Sequence, residues 1–96
     1  MSRITTRFGD ALVTIGYDRP LGGYWGDIVP RDSEDDAPTH EFPPTYPFKL
    51  AATVHEIVAL VKDAGYPLPA TAVAAVLAGG DDPSYERWFS PDGKEL

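Results

Sequence analysis

The sequence contains no cysteine, no asparagine and no glutamine. Without Cys there is no disulfide, no thiolate nucleophile and no cysteine-ligated zinc. Without Asn there is no acceptor for N-glycosylation. Positive charge is also scarce: eight Lys and Arg stand against fifteen Asp and Glu, for a net charge of −7. The basic residues are scattered and form no stripe that would neutralise phosphates, so direct nucleic-acid binding is not expected. No apolar run approaches the ~18 residues of a membrane span, and the first residues lack the apolar region of a signal peptide. The expected setting is cytoplasmic, with no membrane contact.

The 96 residues imply one domain, 1–96. A chain this short buries only roughly 60–65% of its unfolded surface. Apolar residues make up 43%, but eleven of them are Ala, which bury little area each. The core is therefore thin, and a partner copy would cover surface that a monomer leaves wet. Monomer and homodimer both stay open.

Along the chain, Ile4-Thr5-Thr6-Arg7-Phe8 is β-branched and aromatic, as a strand over 4–8 requires. Gly9-Asp10 is a hairpin signal. A second strand over 11–17 alternates, with Ala11, Val13, Ile15 and Tyr17 on one face and Leu12, Thr14 and Gly16 on the other. Asp18-Arg19-Pro20-Leu21 turns the chain and Gly22-Gly23 lets it re-enter the sheet for a third strand over 24–29. A short fourth strand over 39–42 is a candidate, followed by a stiff, extended Pro43-Pro44-Thr45-Tyr46-Pro47 connector.

Thr53-Val54-His55-Glu56 fits a capping box, and Val54, Ile57, Val58 and Val61 recur at helical spacing. This predicts a helix over 53–64, ended by Gly65. Pro69 suits the first turn of a second helix over 69–78, with Val73, Val76 and Leu77 as its apolar stripe and Gly79-Gly80 as its stop. Residues 85–96 have the character of a terminal hairpin around Ser90-Pro91-Asp92-Gly93, with Trp88 expected to fill the core. The fold class is α+β: an antiparallel sheet of three to four N-terminal strands, two helices on one face, and a short C-terminal hairpin.

No catalytic or metal template is complete. His55-Glu56 begins a zinc-protease helix motif, but Ala59 stands where the second His belongs, which leaves His55 as a helix-surface residue. Asp32, Glu34 and Asp36 imitate the first ligands of a calcium loop, yet Ala37 replaces the required Gly and Pro43 the bidentate Glu. No Ser has the glycine context of an exposed nucleophile. Neither glycine pair has the spacing of a phosphate loop. The sequence therefore predicts a non-enzyme with no cofactor.

Two clusters remain. Asp32-Ser33-Glu34-Asp35-Asp36, with Glu41 nearby, is in the plain sense a solvated loop. In the functional sense, its carboxylates imitate the sign and spacing of nucleic-acid phosphates and suit a basic protein or nucleoprotein surface. Arg19, Tyr24 and Trp25 gather with Tyr17 at the second bend. They form either a small core under a turn in which Asp18 bonds backbone N–H groups, or an interface hot spot.

The run Gly16-Tyr17-Asp18-Arg19-Pro20-Leu21 resembles a group of short proteins carried by proteobacterial plasmids, prophages and integrated elements. Those share a Gly-(Tyr or Trp)-Asp-Arg-Pro-Leu bend, an aromatic-rich strand, an acidic stretch, and a helix ending in Gly before Leu-Pro and a second helix. The matching pieces here are Gly22 to Val29, Asp32 to Asp36, Thr53 to Gly65, and Leu68-Pro69 to Leu77. Gly26-Asp27 and the long Pro-rich connector depart from that pattern. The group has no established activity to carry over. The resemblance implies accessory cargo of mobile elements, where small acidic proteins often inhibit host defence. The expected function is that of an anti-CRISPR or similar DNA-mimicking inhibitor, with a structural or regulatory accessory module as the alternative.

Overall fold

In a computed structural model of the chain, residues 2–31, 37–46, 48–80, 82 and 84–96 are described. The order of elements is β1 (Ser2–Arg7), β2 (Ala11–Asp18), β3 (Gly23–Pro30), β4 (His40–Phe42), α1 (Val54–Asp63), α2 (Ala70–Gly79) and β5 (Glu86–Phe89). The protein is α+β. Four strands follow the expected meander, with Gly9-Asp10 closed by a Phe8 N–H to Ala11 carbonyl bond of 2.9 Å.

The sheet itself is mixed, not antiparallel. Its strand order is β4-β3-β2-β1-β5, and β5 lies parallel to β1. The two helices carry the chain from the β4 edge back across one face, α1 over β3 and β4, α2 over β1 and β5. A strand delivered by such a crossover meets β1 running the same way. The expected terminal hairpin is only partly present. After the Ser90–Gly93 turn the chain returns through a single bridge, Phe89 to Glu95, while the other edge of β5 joins β1.

The helix ends follow their local chemistry. The Thr53 hydroxyl accepts from the Glu56 N–H at 3.4 Å. At the other end of α1, Gly65 takes φ 104°. Its N–H bonds the Lys62 carbonyl and the Tyr66 N–H bonds that of Val61, the paired bonds of a Schellman stop. Pro69 caps α2 from outside rather than occupying its first turn. The proline-rich connector is not extended: it folds into turns, with the Tyr46 and Phe48 N–H groups bonded to the carbonyls of Pro43 and Thr45.

The core lies between the helices and one sheet face. Ile4, Val13, Ile15, Ile28, Phe42 and Phe89 meet Val54, Ile57, Val61, Ala72 and Val76. Gly26 gives α1 its close seat, because a Cβ there would stand 3.0 Å from Ile57 Cγ2. The stripe of α2 differs from expectation. Ala72, Ala75, Val76 and Gly79 are buried, Val73 is half-buried, and Leu77 is 53% exposed. Small side chains let the helix sit low on β1, and a Leu on that side would hold it off. Trp88 also departs from expectation: it lies on the opposite sheet face, and its neighbour Phe89 takes the core position.

Ile57→Ala should cost about 2–5 kcal/mol in urea unfolding. Leu77→Ala should stay within about 0.5 kcal/mol. Equal losses at the two positions would contradict this packing.

Candidate functional site

Strand pairing places one set of side chains on the face without helices. Residues that alternate along a strand share a face, and paired residues on neighbouring strands stand side by side. The central row across this face is Trp88, Thr5, Thr14, Asp27 and Glu41, one from each strand. On one side of it run Glu86, Arg3, Gly16 and Trp25; on the other run Arg7, Leu12 and Val29. A shallow cavity of about 360 Å³ opens over this grid, walled by Trp88, Leu12, Val29 and Pro38 and floored by Thr5 and Thr14.

The floor is polar but satisfied. Thr5 and Thr14 are buried, and their hydroxyls bond each other at 3.0 Å. Trp25 is only 7% exposed and is not part of the helix-side core. Its ring lies over Gly16, where a Cβ would overlap the Ser2 carbonyl oxygen and stand 2.8 Å from the indole. The Trp25 indole N–H is buried with no partner among the described residues, an uncommon state for a buried donor. Arg7 stands 5.8 Å over the Trp88 ring, a cation–π contact on the same face.

Asp27 is the unusual charge. It is half-buried, directly opposite Glu41 on the neighbouring strand. Burial raises its carboxyl above the ordinary carboxylate range; Arg3 opposes this, and Glu41 reinforces it. Among the described residues no hydrogen bond or ion pair reaches either carboxylate. Like charges placed opposite each other on paired strands are destabilising. The arrangement gives up stability in the free chain.

The expected site residues divide. Tyr24 and Trp25 do not act together, because neighbours on a strand face opposite ways. Tyr24 joins Tyr17, with ring centroids 5.0 Å apart, and these two line a separate depression of about 350 Å³ with Arg19 and Gly80. The bend also contains the expected turn bond, Leu21 N–H to Asp18 Oδ1 at 3.3 Å. Glu41 is exposed on β4, beside Asp27. Asp32, Glu34, Asp35 and Asp36 lie outside the described residues. In the chain they fall between β3 and β4, the two strands that hold Asp27 and Glu41 together.

Sequence reasoning missed Arg3, Asp27 and Glu86, and placed Trp88 on the wrong face. The available signal was the period of two: Arg3, Thr5 and Arg7 alternate in β1, and Asp27 interrupts an otherwise apolar strand. Among the described residues no three His, Asp or Glu side chains gather as a metal site, and no helix is long and apolar enough to cross a membrane. No protein-family model matches the chain, and no curated protein or solved structure matches it either.

A carboxyl with a raised folded-state pKa binds its proton more tightly in the folded chain. Its contribution to stability is therefore fully present below the unfolded pKa and lost as pH rises through the folded one. Asp27→Asn should raise Tm at pH 7, and the advantage should shrink as pH falls through the acidic range. A Tm difference that does not change with pH would contradict this environment for Asp27.

Proposed function

We propose that this protein is a non-enzymatic binding module that blocks a basic, nucleic-acid-handling protein by offering carboxylates where phosphates would lie. The supporting observation is the β3–β4 unit. Asp27 and Glu41 stand side by side on its two strands, and the chain between them contributes Asp32, Glu34, Asp35 and Asp36. Six acidic residues thus belong to one short stretch whose ends are held together by strand pairing. The net charge of −7 adds long-range attraction to a basic partner.

The helix-free face continues this surface. Its aromatic and arginine side chains, Trp88, Arg3 and Arg7, are the residue types that dominate binding energy at interfaces. The target class is a protein whose basic groove holds nucleic acid, CRISPR effectors among them, and the setting is the cytoplasm of a bacterium carrying a mobile element. The protein acts as a monomer or homodimer and needs no cofactor.

A second function is favoured by Phe48, which is 95% exposed, and by Leu21 at 56%. Isolated exposed apolar residues are ordinary, but these two suit an accessory module whose contact is apolar and insensitive to salt.

The test begins with immobilised protein and bacterial lysate at low and high salt, with retained proteins identified by mass spectrometry. A retained nucleic-acid-binding complex should be released by salt and displaced by duplex DNA. Changing Asp32, Glu34, Asp35 and Asp36 together to Ala should weaken its binding about tenfold at low salt and flatten the salt dependence. Retention that ignores salt, DNA and these substitutions would overturn the mimic and favour the accessory module.

A further inference from the structure

The helix-free face divides by charge. Among the described residues no helix or strand covers it. On one side of the central strand β2, β1 brings Arg3 and Arg7 to this face; on the other side, β3 and β4 bring Asp27 and Glu41. Between them β2 contributes Leu12, Thr14 and Gly16, none of them charged. Leu12, Val29 and Trp88 are half-buried, so apolar surface lies within the charged pattern. A surface with cations on one side of a line and anions on the other is complementary to itself. Turned over about a two-fold axis along that line, a second copy presents its cations to the anions of the first.

We propose that the helix-free face is the interface of a homodimer, in which two copies pack sheet to sheet about a two-fold axis running along β2. The proposal goes beyond the binding function above and does not depend on it. In this arrangement β1 of one copy lies over β3 of the other, and β5 lies over β4. Asp27 then stands opposite Thr5 of the second copy, with Arg3 one row to one side and Arg7 one row to the other, because these three alternate along β1. Each row is a step of roughly 7 Å, which an arginine side chain bridges between sheets packed about 10 Å apart. Glu41 faces Trp88 of the second copy and the Arg7 guanidinium that lies over its ring. Glu86 falls opposite the end of β4, where no carboxylate stands. Five strands and three rows of side chains make a face of roughly 24 Å by 20 Å. Each copy covers roughly 500 Å² and the pair roughly 1,000 Å², the lower limit of a specific interface, so the dimer is weak. The net charge of −7 on each copy adds long-range repulsion. Salt at about 0.15 M screens that repulsion, while pairs enclosed by the interface are screened less. Dilute chain is then monomeric and leaves the face open to a partner; concentrated chain covers the face with itself.

The test is sedimentation equilibrium of the full chain in about 0.15 M salt, from about 1 μM to about 1 mM protein. The mass should rise from that of one chain towards that of two. Over the same range, NMR signals of the isotope-labelled chain should shift at the Trp88 indole N–H and along β1 and β3, and stay fixed along α2. Arg7→Asp and Asp27→Arg should each weaken association about tenfold, by setting like charges against each other. Mixed in equal amounts, the two variants should regain most of that loss, since each supplies the charge that the other lacks. A chain that stays monomeric throughout, shifts centred on α2 or Phe48, or a mixture that associates no better than its components would overturn the dimer. The shifts of the unaltered chain decide the interface even where a variant does not fold. The outcome is separable from that of the lysate experiment. A salt-released partner captured by a chain that remains monomeric sinks the dimer and leaves the inhibitor intact. Dimerisation through this face with no captured partner does the reverse.

Discussion

Two ten-residue helices are enough to cover one side of this sheet and no more. Packed side by side they span roughly 20 Å. Five strands span about 19 Å between the outermost pair. The helix layer therefore matches one face, and among the described residues no helix or strand covers the other. The same passage of the helices sets the topology. The chain leaves β4 at one edge, crosses over the helix side, and reaches the opposite edge beside β1, which makes β5 parallel.

The uncovered face shows how a thin domain manages such exposure. Its centre is closed by a mutual Thr5–Thr14 bond and by Trp25 lying on Gly16, while Leu12, Val29 and Trp88 stay half-buried around the cavity. Its periphery is charged, and the charges are poorly matched. Asp27 sits half-buried opposite Glu41 when an apolar residue would stabilise the fold. On the proposed function, the stability given up at this concave surface is recovered when a partner makes the missing interactions. The acidic run in the β3–β4 connection extends the same sign of charge beyond the sheet edge. The proposed function thus draws its long-range attraction and its short-range recognition from one part of the chain.

Much of the frame was legible because its determinants are local. Ala11, Val13 and Ile15 alternate with Leu12, Thr14 and Gly16, Gly9-Asp10 marks the hairpin, and Thr53 and Gly65 bracket α1; β1, β2 and α1 lie within two residues of their expected bounds. Non-local features were not legible. The partner of β5 is β1, more than eighty residues earlier, and no local pattern encodes that pairing. Helix α2 is apolar nearly all round, so its sequence contains no stripe to orient it, and the small residues prove to face the sheet while Leu77 faces out. In β5 the adjacent Trp88 and Phe89 are both large and aromatic; only the register with Thr5 and Thr6 decides which one points to the helices. Grouping Tyr24 with Trp25 failed for a simpler reason, because adjacent strand positions never share a face. The candidate site was legible in its acidic sign and in Glu41, but its centre at Asp27 and Trp88 needed the sheet to be assembled first.

The proposed function makes the helix-free face the contact surface. Hydroxyl-radical footprinting of the chain, alone and bound to its retained partner, tests this at the level of side chains. Binding through this face requires that Trp88, Val29 and Pro38 become protected while Leu77, on the outer side of α2, keeps its reactivity. Protection of Leu77 with Trp88 unchanged would place the contact on the helix layer and contradict the assignment.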